Sequence, residues 1–538
     1  MSVLLSINHL SVALPPDADR PWALRDLSLD LRYNEILCVV GESGSGKSMT
    51  ASAIMGLLPE RVQPTQGSIT FEGRDLLQLT QEELRQWRGA RIGMIFQDPM
   101  TALNPLHRVG DQIAEMFLIH RPKLTKQDVD ARVLRLLEDV HIPEPTATVR
   151  AYPHQLSGGQ RQRVMIAMAL ALEPLVLIAD EPTTALDVTT QAQILRLIRE
   201  LQQRRGTSVL FITHDFGVVA DIADRVAVMR HGELVEQGPA AQVLYAPRHE
   251  YTRSLIAAVP SLHPALPRPT QEQSALLTLK NINKTFREPG LFRRRQRQVA
   301  AVQDVSLTLP QGSTLGIVGE SGSGKSTLAR CIVRLYQPDS GEIHFDGHDL
   351  AQLKSRALRE QSRDIQMVFQ DPFASLNPRQ TVGEIAAKGL LIRGVPRAQA
   401  LEKVKALFAL VGLDAGAIHR YPHEFSGGQR QRIGLARALA VEPKILVADE
   451  PVSALDVSVQ AQVLALLADL RQRLGLSLIF ITHDLRVAAQ VCDRIIVMKS
   501  GKIVEQGPTY QVYQQPQHAY TRQLLEAIPG REWQVSAA

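Results

Sequence analysis

The sequence predicts an α/β protein made of two tandem copies of one domain, each organised around a mostly parallel sheet. Two observations carry that expectation: a set of short motifs occurs twice in the same order, and short apolar runs alternate with helical stretches through both copies. A chain of 538 residues also exceeds what one core supports and suits two domains.

The repeat is nearly literal. GESGSGKS stands at Gly41–Ser48 and again at Gly319–Ser326, and FQDP at 96–99 and 369–372, each followed by LNP. SGGQRQR occupies 157–163 and 426–432, ADEP 179–182 and 448–451, ALDV 185–188 and 454–457, and FITHD 211–215 and 480–484. The tails agree too, with VEQGP at 235–239 and 504–508 and YTR at 251–253 and 520–522. Ser157 to His214 and Ser426 to His483 are equally spaced, so length changes are confined to the middle of each copy. LLSINHLSVAL at 4–14 is answered by LLTLKNINKTF at 276–286. These matches place a first domain at 1–260, a connector at 261–275 and a second domain at 276–538. Prolines 260, 264, 267 and 269 make the connector extended and non-helical.

Ile36–Val40 and Thr314–Val318 are apolar runs that enter glycine-rich turns. Leu175–Ala179 and Ile445–Ala448 end in acidic pairs, and Val209–Ile212 and Leu478–Ile481 end at a histidine. Such runs read as buried parallel strands, whose C-terminal ends are where these sheets bind ligands.

Bulk properties exclude several classes. The net charge of +5 is small and its basic residues are interspersed with acidic ones, so no nucleic-acid footprint is present, only a slight lean toward anionic partners. Cys38, Cys331 and Cys492 lie far apart and read as reduced packing residues, without zinc or iron–sulfur spacing. MSVLLSINHLSV lacks the basic region and cleavage site of a signal peptide. The most apolar stretch, Val164 to Ala179, is broken by Glu173 and Pro174, so the chain is not expected to cross a membrane by itself.

The chemistry sits in the motifs. In G-x-x-x-x-G-K-S the glycines Gly41, Gly44 and Gly46, and Gly319, Gly322 and Gly324, let backbone N–H groups cradle phosphate at the positive end of the next helix, with Ser43, Ser321 and Thr327 in the same cradle. Lys47 and Lys325 are placed to reach the β- and γ-phosphates, and Ser48 and Ser326 to ligate Mg²⁺. Asp180 and Asp449 are candidates for the Mg²⁺ shell, and the adjacent Glu181 and Glu450 for general bases acting on water. The plainer alternative, acids capping a turn before Pro182 and Pro451, loses weight beside two phosphate loops. His214 and His483 can hydrogen-bond a γ-phosphate, and the amides of Gln97 and Gln370 can touch both Mg²⁺ and the attacking water.

Ser157-Gly158-Gly159-Gln160 and Ser426-Gly427-Gly428-Gln429 precede helical runs and make a second anion cradle in each domain. One domain binds one γ-phosphate, so the spare cradle most simply serves the other domain's nucleotide in a head-to-tail pair. The following Arg161-Gln162-Arg163 and Arg430-Gln431-Arg432 fit a solvated helix start equally well.

With these motifs in this order, the chain resembles ATP-binding cassette ATPases, twice over nearly its whole length. The resemblance implies two phosphate-loop nucleotide-binding domains, each with a mostly parallel sheet core, an antiparallel β part and a helical subdomain, and ATP with Mg²⁺ as cofactors. It implies an intramolecular pseudo-dimer in which Gly41–Ser48 faces Ser426–Gln429 and Gly319–Ser326 faces Ser157–Gln160. By the same resemblance Asp187 and Asp456 link the two sites, Glu181 and Glu450 are general bases, and His214 and His483 sense the γ-phosphate. Adenine stacks on an early aromatic residue in such domains. Phe286 meets this in the second copy, whereas the first has Leu14, with Trp22 as a substitute. Base stacking is worth about 1–3 kcal/mol, so the first site is expected to hold ATP more weakly.

QDPMTALNP, QDPFASLNP and the tails YAPRHEYTRSLIAAVP and YQQPQHAYTRQLLEAIP resemble oligopeptide/dipeptide-importer ATPases, and the fusion resembles the Yej-type group for microcin C and oligopeptides. This implies a peripheral place on the cytoplasmic face of the inner membrane, two integral membrane permease subunits, and a periplasmic substrate-binding protein. The run Arg293, Arg294, Arg295 and Arg297 reads as a solvated loop, with anionic lipid contact as the alternative. The competing reading is a soluble double-cassette ATPase acting on ribosomes or nucleic acid. Its relatives carry a long charged helical linker, and the connector here is short and proline-rich. An exporter ATPase is disfavoured by the LNP and YTR elements. The ATPase residues do not choose among peptide, glutathione, opine and nickel.

Overall fold

The computed structural model describes residues 2–18, 20–184, 186–264, 274–287, 298–453 and 455–533. They form two compact units: Met1–Val259 with the segment from Pro529, and Pro260–Ile528.

In unit 1 a six-stranded sheet has the order Glu233–Pro239, Arg225–Arg230, Ile36–Val40, Ser208–Ile212, Val176–Asp180, Ile92–Ile95. Its inner pairings are parallel, and only the edge pair Arg225–Arg230 with Glu233–Pro239 is antiparallel. Ile36–Val40, Val176–Asp180 and Ser208–Ile212 are buried at every residue, which is why they read as unbroken apolar runs rather than alternating ones. A four-stranded antiparallel sheet, ordered Trp22–Arg32, Val3–Ala13, Gln63–Phe71, Arg74–Asp75, packs its Leu5, Ile7, Leu10 and Phe71 into the same core as Leu37 and Val39. A helical part contains Val109–His120 and Lys126–Asp139. The latter starts at a capping box of Thr125 and Asp128 and buries Val129, Val133, Leu136 and Leu137, one face of a 3.6-residue period.

Unit 2 repeats this plan. Its six-stranded sheet runs Ile365–Val368, Ile445–Asp449, Ser477–Thr482, Thr314–Val318, Arg494–Lys499, Lys502–Pro508, beside an antiparallel sheet of Gln298–Pro310, Ala275–Arg287, Ser340–Phe345 and His348–Asp349. Thr381 and Glu384 form the capping box of Val382–Ile392. Among the described residues no helix is long and apolar enough to cross a membrane. All three cysteines are buried and free, and burial pushes the Cys331 thiol up to about 11.

The chain's end departs from the expected boundaries. From Pro529 onward it belongs to unit 1 rather than to the second domain. Trp533 is 4% exposed and stacks on Phe216, the first residue of helix Phe216–Ile222, with ring centroids 6.4 Å apart. Gly217 admits this segment: a Cβ there would meet the Pro529 carbonyl oxygen at 2.6 Å. The start of the expected connector belongs to unit 2, where Gln490 Nε2 donates to the Ser261 and His263 carbonyls, each at 2.9 Å. Residues 265–273 and the arginine run Arg293–Arg297 lie outside the described residues.

Candidate functional site

Each phosphate loop joins the central strand of its sheet to a helix, Lys47–Met55 in unit 1 and Lys325–Ile332 in unit 2. The last loop glycine, Gly46 or Gly324, has φ +103, a left-handed conformation that favours glycine, and it starts the helix without a side-chain cap. The first-turn N–H groups are therefore left for a ligand. Lys47 Nζ, in a side chain that is almost fully buried, donates to the carbonyls of Gly41 at 2.7 Å and Glu42 at 3.0 Å. Lys325 does the same with Gly319 at 2.7 Å and Glu320 at 2.8 Å. The hydroxyls of Ser45 and Ser323 are buried in the loops and have no hydrogen-bond partner among the described residues, a deficit that a phosphate oxygen would relieve. In unit 2 the loop opens on a cavity of about 680 Å³, lined by Gln303, Gly322, Lys325, Ser326, Gln370 and Glu450.

Ser48 Oγ donates to Asp180 Oδ1 at 3.0 Å, and Ser326 Oγ to Asp449 Oδ1 at 2.9 Å. Burial raises both aspartates above the usual carboxylate range, against the hydroxyl bonds that lower them. A hydroxyl beside a buried carboxylate is a donor set that suits a hard divalent cation. Among the described residues no cluster of three or more His, Cys, Asp or Glu could hold a metal ion. A cation here therefore needs further oxygens, as phosphates supply.

The next residue carries strain. Glu181 and Glu450 have φ +46 and +48, left-handed values that cost a non-glycine residue about 1–3 kcal/mol and that concentrate at functional sites. The Glu181 carboxylate accepts from Gln97 Nε2 at 3.1 Å and Thr184 Oγ1 at 3.0 Å, and lies 3.3 Å from His214 Nδ1. Burial opposes its ionisation, but His214, Thr184 and Lys47 outweigh burial and bring its pKa to about 2. Glu450 accepts from Gln370 Nε2 at 2.8 Å and lies 3.2 Å from His483 Nδ1. Its pKa is also lowered, against burial and mainly by His483, while Glu450 raises His483 against that residue's own burial. Ser453 takes the place of Thr184 but donates to the Glu450 backbone carbonyl instead, at 3.2 Å.

Ser157 caps helix Gly158–Ala169 through a capping box: its Oγ accepts from Gln160 N at 3.2 Å, and Gln160 Oε1 accepts from Ser157 N at 2.9 Å. Ser426 and Gln429 do the same for Gly427–Leu439. The two glycines differ in role. Gly158 faces open space and Gly427 has its nearest atom at 3.9 Å, but a Cβ on Gly159 would meet Thr190 Cγ2 at 2.7 Å, and on Gly428 Val459 Cγ1 at 2.4 Å. The second glycine thus seats this helix against Val188–Arg205, or Val457–Leu474 in unit 2. Asp187 caps the former, accepting from Thr190 N at 2.9 Å, and Asp456 stands at the start of the latter. Gly428→Ala is accordingly expected to destabilise unit 2 by about 1–3 kcal/mol through overpacking. Thermal unfolding checks this, with Gly427→Ala as the variant that should leave the midpoint nearly unchanged; equal losses would refute the packing role.

The Arg161-Gln162-Arg163 run is not a solvated helix start. Gln162 is buried and its Nε2 donates to the Pro182 carbonyl at 2.6 Å, next to Glu181, while Arg163 reaches the Val140 carbonyl at 2.8 Å. Phe286 is 36% exposed, with its ring edge-to-face to Tyr336 at 5.4 Å. Leu14 packs on the core of unit 1 and Trp22 is half-buried, so unit 1 has no matching exposed ring at position 14. Arg20 instead brings Nη2 to 3.8 Å from the point a Cβ of Gly44 would occupy. Sequence reasoning missed Ser45, Ser323 and Thr184. The first two stood in the repeated octapeptide, and Thr184 fell outside the literal repeat because the second copy has Ser453 in its place.

Residues 24–184 and 302–453 match the ABC transporter family. The chain belongs to that family. Residues 235–288 and 504–534 match the oligopeptide/dipeptide transporter C-terminal region, so both repeats carry this transporter type's tail. Among curated relatives, the glutathione import ATP-binding protein GsiA of Escherichia coli strain K12 is 47% identical over 561 residues, covering 98% of this chain and 90% of the relative. GsiA of Salmonella choleraesuis is 48% identical, covering 98% and 89%. A solved single cassette, MJ0796 in a dimeric post-hydrolysis state with ADP and phosphate, covers 43% of this chain and 98% of its own at 32% identity and a TM-score of 0.38. The two ABC cassettes bind ATP, and the chain is the ATPase subunit of an importer of the oligopeptide/dipeptide type.

Proposed function

We propose that this ATPase powers uptake of short peptides, glutathione among them, by working against two permease subunits from the cytoplasmic face of the inner membrane, with a periplasmic binding protein delivering the cargo. The observation that carries the reading is the full set of lysine, serine, aspartate, glutamate, glutamine and histidine gathered at the strand ends of both units, in a chain whose two tails both match the oligopeptide/dipeptide type. The named relatives import glutathione, itself a small peptide.

In this proposal each nucleotide lies between a lysine loop of one cassette and the serine-glycine turn of the other: Gly41–Ser48 with Ser426–Gln429, and Gly319–Ser326 with Ser157–Gln160. Ser48, Asp180 and Gln97, and Ser326, Asp449 and Gln370, would hold Mg²⁺, which neutralises phosphate charge. Lys47 and Lys325 leave the loop carbonyls for the phosphates. Glu181 and Glu450 take the proton from the attacking water. At rest His214 bonds to Glu181 and, with the Thr184 hydroxyl and the Lys47 charge, holds its basicity down. Drawn away to the phosphates, His214 and Lys47 release that hold, so the base is strengthened only when substrate is in place. Asp187 and Asp456 couple the two sites, and Phe286 stacks adenine in the second.

Co-expression with candidate permeases tests the reading. The chain is expected to co-purify with two membrane subunits, and its ATP hydrolysis in liposomes to rise when a binding protein loaded with glutathione or a dipeptide is added. Stimulation by ribosomes or RNA instead, with no membrane subunit retained, would favour the soluble double-cassette reading.

A further inference from the structure

The two tails do more than mark the transporter type. Helix Glu250–Ala257 is fixed at its start: Glu236 accepts from the backbone N–H groups of Arg248 at 2.8 Å and His249 at 3.1 Å, and His249 Nδ1 accepts from Tyr251 N at 3.1 Å. Unit 2 repeats the arrangement with Glu505, Gln517, His518 and Tyr520 at 2.8, 3.1 and 3.1 Å. The tyrosine that each helix presents is buried, Tyr251 to 7% exposure and Tyr520 to 3%, with a cation over its ring: the Arg230 guanidinium at 4.8 Å and the Lys499 amine at 4.4 Å.

Both hydroxyls end on the second residue of a phosphate loop. Glu42 N–H donates to Tyr251 Oη at 3.3 Å, and that hydroxyl donates to Glu42 Oε2 at 3.1 Å. Glu320 N–H donates to Tyr520 Oη at 3.2 Å. The same two glutamates offer their carbonyls to Lys47 and Lys325. A continuous path therefore runs from the tail helix through one hydroxyl and one loop residue to the loop lysine, and it occurs in both units. Burial holds the Tyr251 hydroxyl protonated far above neutral pH, so it keeps its proton to donate.

We propose that Tyr251 and Tyr520 are positioning residues for ATP: each hydroxyl holds the second residue of its phosphate loop, and through that residue the loop lysine, in the shape that receives the phosphates. The proposal rests on the ATPase reading above. It gives the tail a role within nucleotide binding, separate from any contact with membrane subunits. Phosphate leaves the loop ordered whether or not the tyrosine is present, so the cost of losing the hydroxyl falls on binding and not on the bound state.

The test is the full chain with Tyr251→Phe and Tyr520→Phe, which keeps ring packing and both cation contacts while removing only the hydroxyls. KM for ATP is expected to rise about fivefold, the factor one ordinary hydrogen bond is worth, with kcat within twofold of the parent. Restoring either tyrosine alone should recover part of the shift. An unchanged KM would overturn the proposal, whatever happens to kcat or the unfolding midpoint. Amide hydrogen exchange of residues 41–45 and 319–323 without ATP supplies a second reading, independent of turnover: faster exchange in the double variant is expected, and identical exchange would also overturn it. If the parent chain itself failed to hydrolyse ATP, the ATPase reading would fall while the exchange measurement still tested the brace.

Discussion

Glu181→Gln combined with Glu450→Gln is expected to stop steady-state phosphate release while leaving ATP bound. Glutamine keeps the shape and length of the side chain and can still accept from Gln97 or Gln370 through its amide oxygen. It cannot take a proton from water. Loss of a positioned general base typically lowers rate by about 10²–10⁴, or about 3–5 kcal/mol of barrier at 1.36 kcal/mol per decade. Neither left-handed backbone position is relieved by the change, because glutamine has the same Cβ, so folding should be little affected. Phosphate release gives the rate, and retention of radiolabelled ATP through gel filtration gives the binding. Turnover near the parent rate would remove both glutamates from the mechanism.

Ser157→Arg is expected to reduce hydrolysis at the Lys325 loop at least tenfold and to spare nucleotide capture at the Lys47 loop. Two losses combine. The helix loses a cap worth about 1 kcal/mol, since Ser157 Oγ accepts from Gln160 N. A long cationic side chain also fills the space beside Gly158, where no atom of the described residues lies within 4 Å of a Cβ. Trapped azido-nucleotide followed by peptide mapping separates the two loops. Loss of label at Lys47 with retention at Lys325 would reject the head-to-tail arrangement and place each serine-glycine turn with its own loop.

Much of this site is local in the chain, and that is why it was legible. Ile36–Val40 and Thr314–Val318 appear as strands with the expected ends, because an apolar run buried at every position stops where the glycine loop must begin. Ser157 and Ser426 cap their helices as the serine-glycine pattern requires, since a cap is settled within four residues. What escaped the sequence depends on distant partners. Nothing around Glu181 signals a left-handed backbone, which is imposed where strand Val176–Asp180 turns. The YTR repeat was visible, but a tyrosine bonding a residue some two hundred positions earlier has no periodic signature. For Arg161-Gln162-Arg163 the sequence left a solvated helix start as an equal alternative, since polar residues are usually exposed, yet Gln162 is buried where it can reach Pro182. The place of Trp533 was equally hidden, since it is set by the notch at Gly217 and not by its neighbours in the chain.

That last placement sets an order of assembly during synthesis. The stretch that stacks on Phe216 leaves the ribosome only after all of Pro260–Ile528 has been made, so the cassette translated first is the one completed last. A chain interrupted anywhere in its second half would leave the Phe216 face of the first cassette uncovered, presenting apolar surface to chaperones and proteases.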